Sequence, residues 1–164
     1  MTLAIHRVDL TQFAMKLQTR AFVRTAFVNL MVGALLFAIG LVADAAGFDG
    51  RLAVLRYPAI HLLVVGWLTQ LIVGVAIWLF PLPERPGSPW MNRLGWIGFG
   101  LLNGGLVLRL AGEVGPAFGG AVWAGWALAA SATAQAIAAW LFAALLMPRL
   151  RPRTGPHASA GAPR

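Results

Sequence analysis

Four apolar stretches constrain this chain more than any motif in it. They run from about Ala21 to Ala46, Tyr57 to Phe80, Met91 to Gly112 and Gly119 to Met147. Each reaches the ~20 residues that a helix needs to cross a bilayer. Inside a bilayer every backbone polar group must be paired within the protein, as it is in a helix. The expectation is an all-α membrane protein with a four-transmembrane-helix bundle. Turn-forming residues separate the runs: Gly47-Phe-Asp-Gly50, Pro81-Leu-Pro-Glu-Arg-Pro-Gly-Ser-Pro89 and Glu113-Val-Gly-Pro116.

Charge agrees with this reading. Only 11% of the 164 residues are charged, against 59% hydrophobic, whereas a soluble domain carries about 25% charged residues. The formal net charge of +8 sits at the flanks of the apolar runs. That is the pattern of membrane topology, not of a nucleic-acid face. There is no cysteine, which excludes disulfides, thiolate metal sites and thiol catalysis.

Orientation follows from the basic residues. With the N-terminus inside, the inner flanks hold Arg7, Lys16, Arg20, Arg24, Arg85, Arg93, Arg149, Arg151, Arg153 and Arg164. The outer flanks hold Arg51, Arg56 and Arg109, so the 13 basic residues divide as 10 and 3. Both termini are expected to be cytoplasmic, in the cell inner membrane. Ala43-Asp-Ala45 has the form of a signal-peptidase site. The apolar run before it is longer than the roughly 7–15 residues of a signal core, so it is read as uncleaved.

The ends divide as segments 1–20 and 148–164 around a transmembrane domain of 21–147. Residues 2–20 form either an interfacial helix, with Leu3, Leu10, Ala14, Leu17 and Ala21 along one side, or a flexible leader. The tail after Pro148 is rich in Pro, Arg, Ala and Gly and reads as disordered and basic. Tyr57, Trp123 and Trp126 are expected near the outer boundary, and Trp78, Trp90 and Trp96 near the inner one.

His61 is the one histidine inside an apolar run; His6 and His157 lie outside the bundle. Intramembrane ionisable residues are rare and point to function by default. Imidazole is a common axial ligand of haem iron. On an ideal helical wheel Gly66, Gln70 and Gly74 share a packing face. His61 falls on the opposite side, with Val65, Leu68, Ile72, Val75 and Leu79. His61 is roughly 6 Å inside the outer boundary and Arg109 about 5 Å, from the rise of 1.5 Å per residue. Arg109 could therefore pair with a haem propionate, with Arg56 and Arg51 as alternatives, or with Glu113 one turn away. No second axial ligand sits at this depth, because Met31 lies nearer the inner half. A haem here is five-coordinate, or shared by two copies of His61, or absent, with His61 hydrogen-bonded to a neighbouring helix. Asn29, Thr69, Asn103, Ser131, Thr133 and Gln135 read as interhelical hydrogen-bonding residues.

The stretch His61-Leu-Leu-Val-Val-Gly-Trp-Leu-Thr-Gln-Leu-Ile-Val-Gly-Val-Ala-Ile-Trp-Leu-Phe-Pro81 resembles the second transmembrane helix of heme–copper oxidase subunit I. The likeness is nearest to the cbb3-type branch and its nitric-oxide-reductase relatives. Asn103-Gly-Gly-Leu-Val-Leu-Arg109 adds a likeness to the short, four-helix bacterial proteins related to that subunit. The resemblance spans 61–81 well and 22–147 loosely. It implies a haem b held by His61 and nothing further. A small haem-binding membrane protein would act in electron transfer, haem handling or gas sensing, or as an accessory in a respiratory complex. The chain lacks the family's copper-binding histidines, so oxygen reduction by this chain alone is not expected. A homodimer would supply the missing ligand. A cofactor-free structural or assembly protein is the alternative reading. A transporter is disfavoured, because so few intramembrane charges give little material for an ion path.

Overall fold

The computed structural model describes residues 2–48, 50–80, 89–119 and 121–149. Among these the chain is helical throughout, with no strand. α1 spans Thr2–Ala45, α2 Gly50–Ala53, α3 Arg56–His61, α4 Gln70–Leu79, α5 Pro89–Val114 and α6 Ala121–Leu146. A π-helix, Leu62–Thr69, joins α3 to α4. Among the described residues four spans are long and apolar enough to cross a membrane: Leu17–Ala45, Gly50–Leu79, Trp90–Phe118 and Val122–Arg149.

α1 continues through residues 2–20 as one helix with the first span. The second span starts earlier than Tyr57, because α2 and α3 already turn helically before it. Gly47 and Gly119 close the turns after α1 and after the 3-10 turn Gly115–Phe118, at φ of 65° and 91°. Only glycine adopts this left-handed backbone without steric cost. At the C-terminal end, Met147–Arg149 forms a 3-10 turn and Arg149 is buried. The rest of the expected basic tail lies outside the described residues, as do Pro81 to Ser88 of the central turn, while the side chain of His6 and all of His157 are likewise undescribed.

The spans pack as two hairpins. The second span lies along α1, and α6 lies along α5. Gly98, Gly105 and Gly112, seven apart on α5, form the seam with α6. A Cβ at these positions would meet Phe142 at 2.6 Å, Gln135 at 2.9 Å and Leu128 at 2.9 Å. Small residues let helix backbones approach closely where lipid gives no hydrophobic drive to association. Phe22 joins the hairpins, its ring 5.0 Å from that of Phe99 and 5.6 Å from that of Phe142. Val73, Ile77, Leu102, Ala138 and Leu145 complete this core. Meanwhile large apolar side chains face outward, among them Met31 at 74% exposure, Val122 at 93% and Trp140 at 78%. Lipid is the solvent that accommodates such a surface.

Candidate functional site

The buried line of the second span is straighter than an α-helix permits. Pro58, Leu62, Gly66, Gln70 and Gly74 are all buried and all four residues apart. In an α-helix a stripe at spacing four drifts by about 40° at each step. In a π-helix, at roughly 80° per residue, it drifts by about 40° the other way. The two geometries compensate, and the stripe stays against α1. Leu62 meets Gly33, Gly66 meets Asn29 and Gly74 meets Phe22. The Thr69 hydroxyl donates to the Val64 carbonyl at 3.0 Å, a bond five residues back that accompanies the wider turn.

This corrects the position read for His61. Leu68, Ile72, Val75 and Leu79 are exposed on the outward side, as the wheel placed them. His61 and Val65 are not among them. Each precedes a residue of the buried line by one position, so each lies on its flank. Val65 packs against the core. His61 faces the end of α5, with Nδ1 3.8 Å from Glu113 Oε1.

Three charged or titratable side chains meet there. Arg109 Nε donates to Glu113 Oε1 at 2.7 Å, one helical turn apart. His61 Nδ1 lies 3.2 Å from the Tyr57 carbonyl oxygen. A carbonyl only accepts, so Nδ1 is the donor in this contact, and Nε2 has no partner among the described residues. The Glu113 side chain is 12% exposed, and its Oε2 is buried without a hydrogen-bond partner among the described residues. His61 and Arg109 thus share a level, as their depths predict, with Glu113 between them. The sequence alone offers Glu113 only as a neighbour of Arg109. A carboxylate at the end of an apolar run, within one turn of an arginine, was the available signal.

The other predicted partners are placed differently. Arg56 is engaged by Asp44 at 2.9 Å across the turn after α1. Met31 lies between Asn29, which meets Gly66, and Gly33, which meets Leu62. It is therefore below the level of His61 and turned outward. Among the described residues no group of three or more His, Cys, Asp or Glu could hold a bare metal ion.

A second polar centre ties the hairpins at mid-bundle. Asn29 Nδ2 donates to the Gly66 carbonyl at 3.1 Å and to Gln70 Oε1 at 3.2 Å, with Asn103 Oδ1 at 3.5 Å. Ser131 donates to the Gly105 carbonyl at 2.7 Å and accepts from Gln135 at 2.9 Å. These four helices are therefore joined by the side chains expected to join them. Thr69 and Thr133 instead bond backbone carbonyls of their own helices. At the far end Gln18, 1% exposed, donates to the Asn92 carbonyl at 3.2 Å. Arg149 donates to the carbonyls of Ile77 and Phe80, both at 3.1 Å, and so caps the end of α4.

The donor chemistry at His61 suits one axial bond to haem iron. Nδ1 is anchored by a carbonyl, as ligating imidazoles commonly are, and Nε2 has no partner among the described residues. Arg109 spends Nε on Glu113, which leaves its terminal guanidinium nitrogens for another carboxylate. No family model, curated protein or solved structure matches this chain.

Proposed function

We propose that this chain is a haem b-binding protein of the cell inner membrane, with both termini cytoplasmic, related in its second span to heme–copper oxidase subunit I. The observation that carries the reading is the anchored imidazole: His61 Nδ1 is held 3.2 Å from the Tyr57 carbonyl and 3.8 Å from Glu113. Such a histidine offers Nε2 as an iron ligand in a fixed orientation. Arg109 would bind a propionate through its remaining donors. Haem bound there would supply one-electron chemistry or gas binding. The protein's part is to hold the iron ligand, keep the surroundings apolar and fix the propionate edge. A low-spin centre needs a sixth ligand from another chain, and a second copy offering its own His61 is the simplest source. His61 is 30% exposed, so a neighbouring subunit can reach it.

The bias of basic residues supports the orientation. Cysteines placed singly at either terminus of this cysteine-free chain should react with an impermeant thiol reagent only after the membrane is opened.

The test of haem binding is an absorption spectrum of the detergent-purified protein, oxidised and dithionite-reduced, beside His61→Ala. The wild type should show a Soret band that the variant lacks and that added imidazole restores. A full Soret band in the variant would refute ligation by His61.

One observation favours the cofactor-free reading. Glu113 approaches both His61 and Arg109 within the chain, which gives the imidazole a structural partner without any ligand. On that reading the wild type, purified from cells supplied with haem, is colourless, and His61→Ala changes only stability.

A further inference from the structure

At the end of the bundle opposite His61, a groove opens between α1 and α4. It is lined by Thr19, Arg20 and Val23 from α1 and by Val75 and Trp78 from α4, with a volume of about 440 Å³. Its floor is apolar and its rim carries a hydroxyl and a guanidinium. Arg20 is exposed, and Arg24 is exposed one turn further into the span, about 6 Å along the helix axis. Neither arginine has an ion-pair or hydrogen-bond partner among the described residues. An unpaired arginine inside a membrane span is costly unless an anion or water reaches it. Trp78, 69% exposed, presents an indole at the same level.

We propose that this groove binds the anionic headgroup of a membrane phospholipid. The phosphate pairs with Arg20 and is shared with Arg24, Thr19 adds a hydroxyl donor, and an acyl chain lies over Val23, Val75 and Trp78. The occupant is a lipid, because the anion site continues without a break into an apolar surface that faces the bilayer. A soluble anion would use the rim and leave that floor in contact with lipid. Guanidinium forks suit phosphate oxygens, and basic clefts between spans are a recurrent way of holding acidic lipid. The site is independent of what His61 holds.

The full chain is reconstituted in phosphatidylcholine vesicles containing brominated phosphatidylglycerol or brominated phosphatidylcholine, and tryptophan quenching is read. Trp78→Phe isolates the contribution of Trp78. Quenching at Trp78 should favour the anionic lipid about fivefold, the enrichment that one membrane-surface arginine supports. Arg20→Gln should abolish most of that preference, and Arg20→Lys should retain part of it. Arg93→Gln removes an exposed charge at the same end, outside the groove, and should leave the preference intact. Equal quenching by the two lipids would overturn the proposal. So would a preference that survives Arg20→Gln, or one lost equally in Arg93→Gln, which would mark general surface charge. Displacement of the effect by inorganic phosphate would instead mark a free-anion site and overturn the lipid assignment.

Discussion

Gly66→Ala tests the join between α1 and the second span at a single atom. A Cβ on Gly66 would lie 2.9 Å from Cγ and Nδ2 of Asn29 and 3.0 Å from its Cβ. The two nearest atoms belong to the amide that donates to Gly66 and Gln70. Overpacking of this kind costs about 1–3 kcal/mol. If Asn29 swings away, two interhelical hydrogen bonds are lost, at about 0.6 kcal/mol each in membranes. Against this, alanine is favoured over glycine within a helix by about 0.5–1 kcal/mol. The clash wins, and the expected net loss is about 1–2 kcal/mol. The assay is reversible unfolding in mixed micelles by titration with a denaturing detergent. A double-mutant cycle supplies the sharper test. In an Asn29→Ala background the obstructing amide is gone, so Gly66→Ala should cost less than about 1 kcal/mol, leaving the milder end of overpacking. A cost for Gly66→Ala that is the same with and without Asn29 would refute the contact. So would no cost in either background.

Three further substitutions probe the other joints, by the same unfolding assay. Arg149→Met keeps the aliphatic stem but removes the donors to Ile77 and Phe80, and should destabilise by at least about 1.5–3 kcal/mol, the range of one hydrogen bond from a charged donor. Arg149→Lys should recover less than half of that, because an ammonium cannot fork between carbonyls as guanidinium does. Gly98→Ala drives a Cβ to 2.6 Å from the Phe142 ring and should cost about 1–3 kcal/mol; Phe142→Leu in the same chain should reduce the penalty. Ser131→Ala removes the bond to the Gly105 carbonyl and the acceptor for Gln135, and should cost about 0.6–1.7 kcal/mol.

The spans were legible because bilayer thickness is a long-range constraint that apolar run length reports directly. The central hydrogen-bonding residues were legible for a related reason. Asn29, Gln70, Asn103, Ser131 and Gln135 are costly in lipid unless they face another helix, so their presence already implied contacts. What the sequence did not report was local. Arg149 stands among the flank residues and Gln18 falls in no motif, yet both are buried because carbonyls of Asn92, Ile77 and Phe80 receive them. The continuity of α1 through residue 20 carries no sequence break either way. Its place inside an apolar run marked His61 but not its surroundings, because the imidazole's direction depends on a change of helical pitch that residue types alone do not announce.

That change of pitch can be tested directly. An uninterrupted α-helix rotates by about 180° between His61 and Gln70, which would turn His61 away from the bundle. At roughly 80° per residue the π-helix removes most of that half turn and brings His61 round to the bundle side, facing α5. The chain has no cysteine, so introduced thiols report without interference. With His61→Cys and Glu113→Cys combined, a short thiol-bridging reagent should join the two spans, since the native side chains approach to 3.8 Å. Val64→Cys with Glu113→Cys is the control, because Val64 is 51% exposed on the outward side. Bridging at 61 and not at 64 is the expected result. Efficient bridging at 64 with none at 61 would mean that the second span keeps a regular α pitch. His61 would then face lipid or a partner subunit, and both its anchoring beside Glu113 and the ligand geometry drawn from it would fall.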